Sequence, residues 1–265
     1  MDSIEIISEL ISRIDKYNLK ETSVIPWAAP IVSFGDISCA KVATLGLNPS
    51  NLEYVDSKGI ELTGVNRRFH TLTSLNIENW HEINDEHIDL ILCSCNDYFN
   101  HNPYDAWFNV LEKLFLENGH TYYGMFSDLV HLDLVPFVTE KKWAKLSHVQ
   151  RSKLLEVSGD VLGYILRGND IRFLVLNGQS VINHLEYISD VRFDKEVMPD
   201  WELPRKKGNG IAGYSYIGKL NRILSVDLEK EIIVLGFNHN LQSSFGVTKG
   251  VKKSIELWVS KEIGR

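Results

Sequence analysis

Short, almost continuously apolar segments alternate with amphipathic segments along most of this chain. The apolar segments have strand length, whereas the amphipathic ones repeat apolar residues every three or four positions, as helices do. The predicted strands are 41–47, 126–136, 171–178 and 231–240. The predicted helices are 3–14, 102–119, 147–168, 179–186 and 249–260. Such an alternation is typical of a parallel sheet covered on both faces. We therefore predict an α/β fold with three α/β/α layers around a central four-stranded, mainly parallel sheet.

Two of the predicted helices carry boundary signals. Ser147 and Gln150 have the spacing of a capping box, which predicts a helix start at this point. Asn102 followed by Pro103 is typical of another helix start, and Gly119 is typical of the end of that helix.

Composition fits a globular protein with an ample core. The 265 residues are 44% hydrophobic and 24% charged, which predicts one domain over 1–265. Within it, 1–40 is expected to form an N-terminal helix and an extended segment, and 190–222 an insertion before the last strand. No apolar run is long enough to predict a membrane span, and no secretory signal follows Met1.

Charge and cysteine usage narrow the function classes. A net charge of −7 argues against indiscriminate nucleic-acid binding but leaves room for a local basic face. The three cysteines, Cys39, Cys93 and Cys95, indicate a reducing, cytoplasmic setting without a disulfide framework. They do not suit a metal site, so we expect no metal. We also expect no cofactor, and we expect the protein to be a monomer.

Polar side chains follow the predicted strands at the point where each strand ends. In a parallel sheet these ends meet at one edge, where ligands bind. One alternative is that strand ends are simply polar. The residues concerned are Asn48, His131, Asp133, Asn177, Asn238, His239 and Asn240.

The order of these segments resembles the uracil-DNA glycosylase superfamily. GLNPS at 46–50 resembles its water-positioning motif, in which Gly-x-Asp/Asn-Pro follows the first strand. RRFHTL (67–72), HLDLVP (131–136), VLNG (175–178) and NHNLQSS (238–244) lie where the superfamily has its other landmarks. The resemblance covers about residues 41–260 and depends on order and placement, because each motif is short.

The resemblance implies a role for each landmark. Asn48 would orient the attacking water, and Phe69 would stack on an extruded base. Asn238 or His239 would support the leaving base, and Leu241 would fill the hole that the extruded nucleotide leaves. The other residues that the resemblance implies around the base are Gly46, Leu47, Pro49, His131 and Asp133.

Three departures from the superfamily pattern affect the expected chemistry. Asn48 replaces a catalytic Asp, as in the mismatch-specific branch, and the last loop lacks the usual Pro-Ser. Asp133 stands where the base-reading strand usually has Asn. A carboxylate can accept a hydrogen bond from the N4 amine of cytosine but cannot donate to O4 of uracil, so Asp133 favours a cytosine-type base. Alternatively, Asp133 pairs with His131 or Arg68 and recognises no base.

Contact with DNA requires cations. Lys249, Lys252 and Lys253 lie at a predicted helix N-terminus, which suits phosphate. Arg67, Arg68 and the last loop complete the predicted DNA face, the loop through Gln242, Ser243 and Ser244. The alternative is that these groups are ordinary solvated surface residues.

The sequence therefore predicts a DNA glycosylase that cleaves the N-glycosidic bond of a flipped-out base and leaves an abasic site. The expected base is a modified cytosine, such as the hydroxymethylated or glucosylated cytosine of phage DNA, because removing ordinary cytosine would damage the cell's own genome. Three alternatives stay open: a uracil or mismatch repair glycosylase, a non-catalytic DNA-binding module, and a nucleoside hydrolase or transferase.

Overall fold

The computed structural model of the protein describes residues 1–17, 19–205, 210–242 and 246–265, and of Lys20 only the backbone. Its strands are β1 (Val42–Gly46), β2 (Leu129–Asp133), β3 (Phe173–Asn177), β4 (Asp194–Leu203), β5 (Ile211–Ile223) and β6 (Val226–Phe237). They form one sheet in the order β2-β1-β3-β6-β5-β4. The first four strands of that order are parallel, and β5 and β4 extend them antiparallel. The predicted mainly parallel α/β/α fold is confirmed, but the predicted count of four strands is wrong.

The helices that flank the sheet largely follow the predicted pattern. They are α1 (Ser3–Lys16), α2 (Leu72–Leu75), α3 (Asp85–Asn96), α4 (Asp105–Glu112), α5 (His148–Gly168), α6 (Gln179–Ile188) and α7 (Lys249–Ile263). The capping box at the start of α5 is present, with Ser147 and Gln150 bonding reciprocally. Among the described residues, none of the helices is long and apolar enough to cross a membrane.

The predicted start of α4 is wrong. The helix begins at Asp105, and Tyr104 is its N-cap. Asn102 instead adopts a left-handed conformation with φ of 57°, and its side chain donates to the carbonyl of Asn66. Asn102 therefore stabilises a loop contact instead of capping the helix, and Asn suits this position because it tolerates positive φ better than most residues do.

The segment 190–222 supplies β4 and most of β5. It was expected as an insertion, yet its strands belong to the central sheet. The first half of β4 is exposed and rich in charge, and Pro199 lies where its register with β5 shifts. Charges and proline are typical of edge strands, where they discourage pairing with other chains. Because these residues are polar, a search for apolar segments does not predict this strand.

Helix α5 approaches the sheet closely at Gly163. A Cβ atom there would lie 2.8 Å from Cβ of Val226, the first residue of β6. One turn earlier, a Cβ on Gly159 would meet only side-chain tips, at 3.4 and 3.5 Å. The two glycines lie in the same helix and differ mainly in this distance.

We expect Gly163→Ala to destabilise the protein by about 1–3 kcal/mol, because overpacking forces the helix away from β6. Gly159→Ala should be neutral or stabilising by up to about 1 kcal/mol, since alanine favours helix and fits the available space. Urea unfolding followed by circular dichroism measures both changes. Equal effects of the two substitutions would contradict this account of the packing.

Candidate functional site

The carboxyl ends of β1 and β2 lie side by side. Gly46 pairs with Asp133 in the parallel register. The two chains continue together beyond the strands, since the amide of Leu134 donates to the carbonyl of Gly46 (3.2 Å) and the amide of Val135 to that of Leu47 (3.0 Å). Asn48 therefore lies next to the segment that follows β2, at the edge where parallel sheets bind ligands.

The side-chain amide of Asn48 is held in one orientation. Its Nδ2 donates to the hydroxyl of Thr139 (3.0 Å) and contacts the carbonyls of Pro49 (3.2 Å) and Phe137 (3.4 Å). The Thr139 hydroxyl donates to the carbonyl of Lys141, so its lone pair faces Asn48. Within the described ranges no donor reaches Oδ1 of Asn48, which leaves a fixed oxygen that can accept a hydrogen bond from water.

Asp133 is a buried carboxylate with little compensation. Its side chain is 4% exposed, although its backbone reaches solvent and the residue as a whole is half-buried. Among the described residues, the group in ion-pair range of it is Nε2 of His131, at 3.6 Å from Oδ1, which is too long for a hydrogen bond. In the part of the chain that the structure describes, the Asp133 carboxylate accepts no hydrogen bond. Such a group costs free energy until a donor arrives.

Gly46 makes room for this arrangement. A Cβ atom at this position would overlap Oδ1 of Asp133 and would lie 2.9 Å from Nε2 of His131. His131 is held from its other side by the hydroxyl of Thr44, 2.8 Å from Nδ1. The glycine of the GLNPS motif is therefore required by two side chains of the neighbouring strand.

Glu53 is a member of the site that sequence reasoning missed. It ends a short 3₁₀ turn, Asn51–Glu53, and its side chain is 4% exposed. The hydroxyl of Tyr98 donates to its Oε2 (3.0 Å). Burial raises the pKa of Glu53 to about 7, and the charge of Asp133 adds to this effect, whereas Arg68 and Tyr98 oppose it. Nothing in the polar loop sequence distinguishes this acid from a solvated one.

Arg68 faces the protein interior rather than a DNA surface. Its Nε lies 3.8 Å from Oε2 of Glu53, and its side chain is 17% exposed. Its nitrogens donate to the main-chain carbonyls of Asn102 and Leu52, both at 2.7 Å. The predicted phosphate contact therefore does not fit Arg68, because its donors already hold two loops together. Its pairing with Asp133, the other possibility raised by the sequence, is not observed.

Aromatic rings pack around Tyr98 and His131, the neighbours of the two acids. Phe69 is buried and stacks on Tyr98, with ring centroids 5.2 Å apart and planes at 13°. Phe34 contacts Phe69 edge-on at 5.4 Å. Tyr54 also contacts the ring, at 5.8 Å between centroids, and Phe69 is 2% exposed. In this conformation Phe69 therefore has no open face for the expected stacking on a base. Trp107 is half-buried and contacts the ring of His131 edge-on at 5.0 Å.

The loop after β6 does not supply the expected donors. Oδ1 of Asn238 accepts from the amide of Tyr214 (2.8 Å) and its Nδ2 donates to the carbonyl of Ala212 (2.9 Å), so the side chain ties β5 to β6. His239 is buried, and its Nε2 lies 2.8 Å from the carbonyl of Trp201. Since a carbonyl only accepts, Nε2 carries the proton. Burial lowers the pKa of His239, which favours the neutral ring. The His239 ring therefore has no N–H left for a base, which corrects its predicted role. Asn238 uses one of its two amide N–H groups within the protein.

The predicted role of Leu241, which was to fill the hole left by the extruded nucleotide, also changes. Leu241 is 3% exposed and packs in the core, so in this conformation it does not fill a hole in a duplex. Gln242 bridges two elements, because it accepts from Nδ2 of Asn177 (2.5 Å) and donates to the carbonyl of Trp107 (3.2 Å). Ser243 and Ser244, predicted as DNA contacts, lie outside the described residues.

The predicted basic face is smaller than expected. Lys253 contacts Glu117 (3.0 Å) and Glu256 (2.5 Å), so its charge is already matched. Lys249 is exposed and Lys252 half-buried in the first turn of α7, which follows β6 and so begins at the carboxyl edge of the sheet. Arg67 is half-buried. Across the described ranges, no group of three or more His, Cys, Asp or Glu side chains could hold a metal ion.

The raised pKa of Glu53 makes stability depend on pH. Between pH 4.5 and about 7 the folded protein binds this proton and the unfolded chain does not, so stability falls as pH rises through this range. The full effect is about 3 kcal/mol. Glu53→Gln cannot ionise, so the free energy of unfolding of this variant should improve relative to the parent by that amount between pH 5 and 8. Chemical denaturation at several pH values measures the difference, and parallel curves would contradict it.

The sequence matches no protein-family model, and no curated protein shows significant similarity to it. A functional assignment therefore depends on the side chains and contacts of the site itself.

Proposed function

We propose that this protein is a DNA glycosylase that removes a flipped-out, cytosine-type base and leaves an abasic site. The observation that carries the proposal is a pair of unfilled acceptors at the carboxyl edge of neighbouring strands. Oδ1 of Asn48 and the carboxylate of Asp133 both lack a donor among the described residues, and the Gly46–Asp133 register places them in one region.

Asn48 suits the water-positioning role. When an N-glycosidic bond breaks, positive charge develops on the sugar and negative charge on the departing base. The bond from the base nitrogen to C1′ opens, and a water oxygen bonds to C1′ in its place. The fixed Oδ1 of Asn48 accepts a hydrogen bond from that water and orients it. An amide is a weak base, but a cationic sugar is a strong electrophile, so orientation supplies most of what this step requires.

Asp133 suits the recognition of cytosine. A buried carboxylate that lacks a donor gains most from a ligand that supplies one, and the N4 amine of cytosine is such a donor. Uracil offers O4 at the same position, which places two acceptors against each other. A cytosine that carries a further modification is the substrate compatible with an undamaged host genome. Reading either base requires that it leave the stack.

Of the cations predicted to contact DNA, Lys249, Lys252 and Arg67 have no ion pair among the described residues. The first two begin a helix, where backbone N–H groups and the helix dipole also favour phosphate. The net charge of −7 makes contact between DNA and the rest of the protein surface unfavourable. This combination favours a limited footprint around the flipped nucleotide.

A second candidate is a DNA-binding module that recognises the base without cleaving it. The observation that favours it is that the ring N–H of His239 and one N–H of the Asn238 amide donate within the protein. Assays for base release and for DNA binding separate the two functions.

Asn48→Ala should reduce base release at least ~100-fold while DNA binding persists, because it removes the water's acceptor and no phosphate contact. Genomic DNAs with different base modifications are incubated with each variant, and released bases are identified by mass spectrometry. Asn221→Ala, an exposed asparagine on β5, is the matched control and should behave like the parent. Equal rates for the parent and Asn48→Ala would refute the assignment of Asn48.

Asp133→Asn should lower the rate on a cytosine-type base by about ten- to a hundredfold, the cost of mispaired groups in a buried site, and should favour uracil. The control is Asp200→Asn, which removes the same charge from an exposed position on β4. Melting curves establish that each variant is folded. If the parent releases uracil efficiently and Asp133→Asn changes little, the protein is a uracil or mismatch repair enzyme instead.

A further inference from the structure

Three exposed lysines follow β2 on the segment 140–145. Lys141, Lys142 and Lys145 have no ion pair within the described ranges, and Glu140 is the one acid of this segment. The chain as a whole is acidic, with 35 acids against 28 lysines and arginines. The described lysines that do pair with acids are Lys41, Lys153, Lys219 and Lys253. The segment 140–145 is therefore a local basic surface whose charge the protein leaves unmatched.

Two hydrogen bonds in series join this segment to Asn48. The side-chain amide of Asn48 donates to the hydroxyl of Thr139 (3.0 Å), and that hydroxyl donates to the carbonyl of Lys141 (2.7 Å). Thr139 also pairs with Val24 in an antiparallel β-bridge, which fixes its backbone. The basic surface therefore begins directly beside the residue to which the proposed function gives the attacking water.

Buried and charged side chains hold the rest of the segment in place. Trp143 is 6% exposed, and its ring contacts His184 of α6 edge-on at 5.4 Å. Arg151 of α5 donates to the carbonyls of Ala144 (3.3 Å) and Leu146 (2.8 Å). The backbone that carries the lysines is thus anchored to two helices, so a ligand that binds there loses little free energy in ordering it.

A short turn places two of the lysines together. Trp143–Lys145 is a 3₁₀ turn with Lys142 as its N-cap, and the amide of Lys145 donates to the carbonyl of Lys142 (2.7 Å). Side chains three positions apart in such a turn project in the same direction. Like charges on one side of a turn repel each other, so they gain most from an anion that contacts both.

The DNA backbone is an anion with these properties. It presents a row of phosphates, and lysines that neutralise them release bound counterions, which makes the affinity fall as the salt concentration rises. We propose that Lys141, Lys142 and Lys145 bind the phosphates beside the flipped nucleotide, an inference that rests on the proposed function. Because Lys141 is joined to Asn48 through Thr139, the same contact would set the sugar of that nucleotide opposite the water.

The test measures binding of the full chain to a short fluorescein-labelled duplex with one 5-hydroxymethylcytosine, by fluorescence anisotropy at several salt concentrations. A variant with Lys141→Gln, Lys142→Gln and Lys145→Gln should bind at least ~10-fold more weakly at ~0.1 M salt. Its plot of log affinity against log salt should be less steep by up to about 3, about one for each lost phosphate contact. An unchanged slope would overturn the inference.

Two matched variants test whether position and charge are both required. The first replaces three exposed lysines elsewhere by Gln, namely Lys113, Lys219 and Lys261, and should keep the slope of the parent. The second changes Lys141, Lys142 and Lys145 to Arg and should also keep it, because the charge stays. An equal loss of slope in either variant would overturn the inference. Melting curves establish that each variant is folded.

The outcomes separate this inference from the proposed function. Binding of the duplex through the three lysines, without base release from any DNA, would support the basic surface and reject the glycosylase activity. Base release together with an unchanged slope in the Gln variant would reject the basic surface alone. Poly-glutamate serves as a probe for an acidic protein partner. If it binds through the three lysines and the duplex does not, the inference is overturned.

Discussion

The missing side chain of Gly46 is the constraint on which the carboxyl edge of the sheet depends. Because no Cβ projects from this position, His131 and Asp133 of the neighbouring strand can lie over β1. Two residues later the chain turns at Asn48, whose amide reaches across to Thr139 in the segment after β2. A larger residue at 46 would displace the carboxylate and separate the acceptors that define the site.

The electrostatics of this edge oppose stability. A buried carboxylate without a donor costs free energy, and the raised pKa of Glu53 shows that burial outweighs the help of Tyr98 and Arg68. Apolar residues of similar size would stabilise such a position better than ionisable ones do. A buried acid that keeps this cost next to the edge where parallel sheets bind ligands makes this edge the candidate site of the fold.

The sequence predicted the buried half of the fold and missed what depends on distant contacts. The strands β1, β2, β3 and the end of β6 were found because both faces are covered and their apolar runs are nearly continuous. Strand β4 was missed because an exposed edge strand is polar. Glu53 was missed because its burial is created by Tyr98, 45 positions away along the chain.

The errors in the last loop have a single origin. Asn238 bonds to β5 and His239 to Trp201 of β4, so both side chains are engaged by the segment that was expected to be an insertion. Because that segment is part of the sheet, these polar residues after β6 form hydrogen bonds to its strands. A local motif identifies the residue types at a strand end, but the sheet order determines which partners those residues contact.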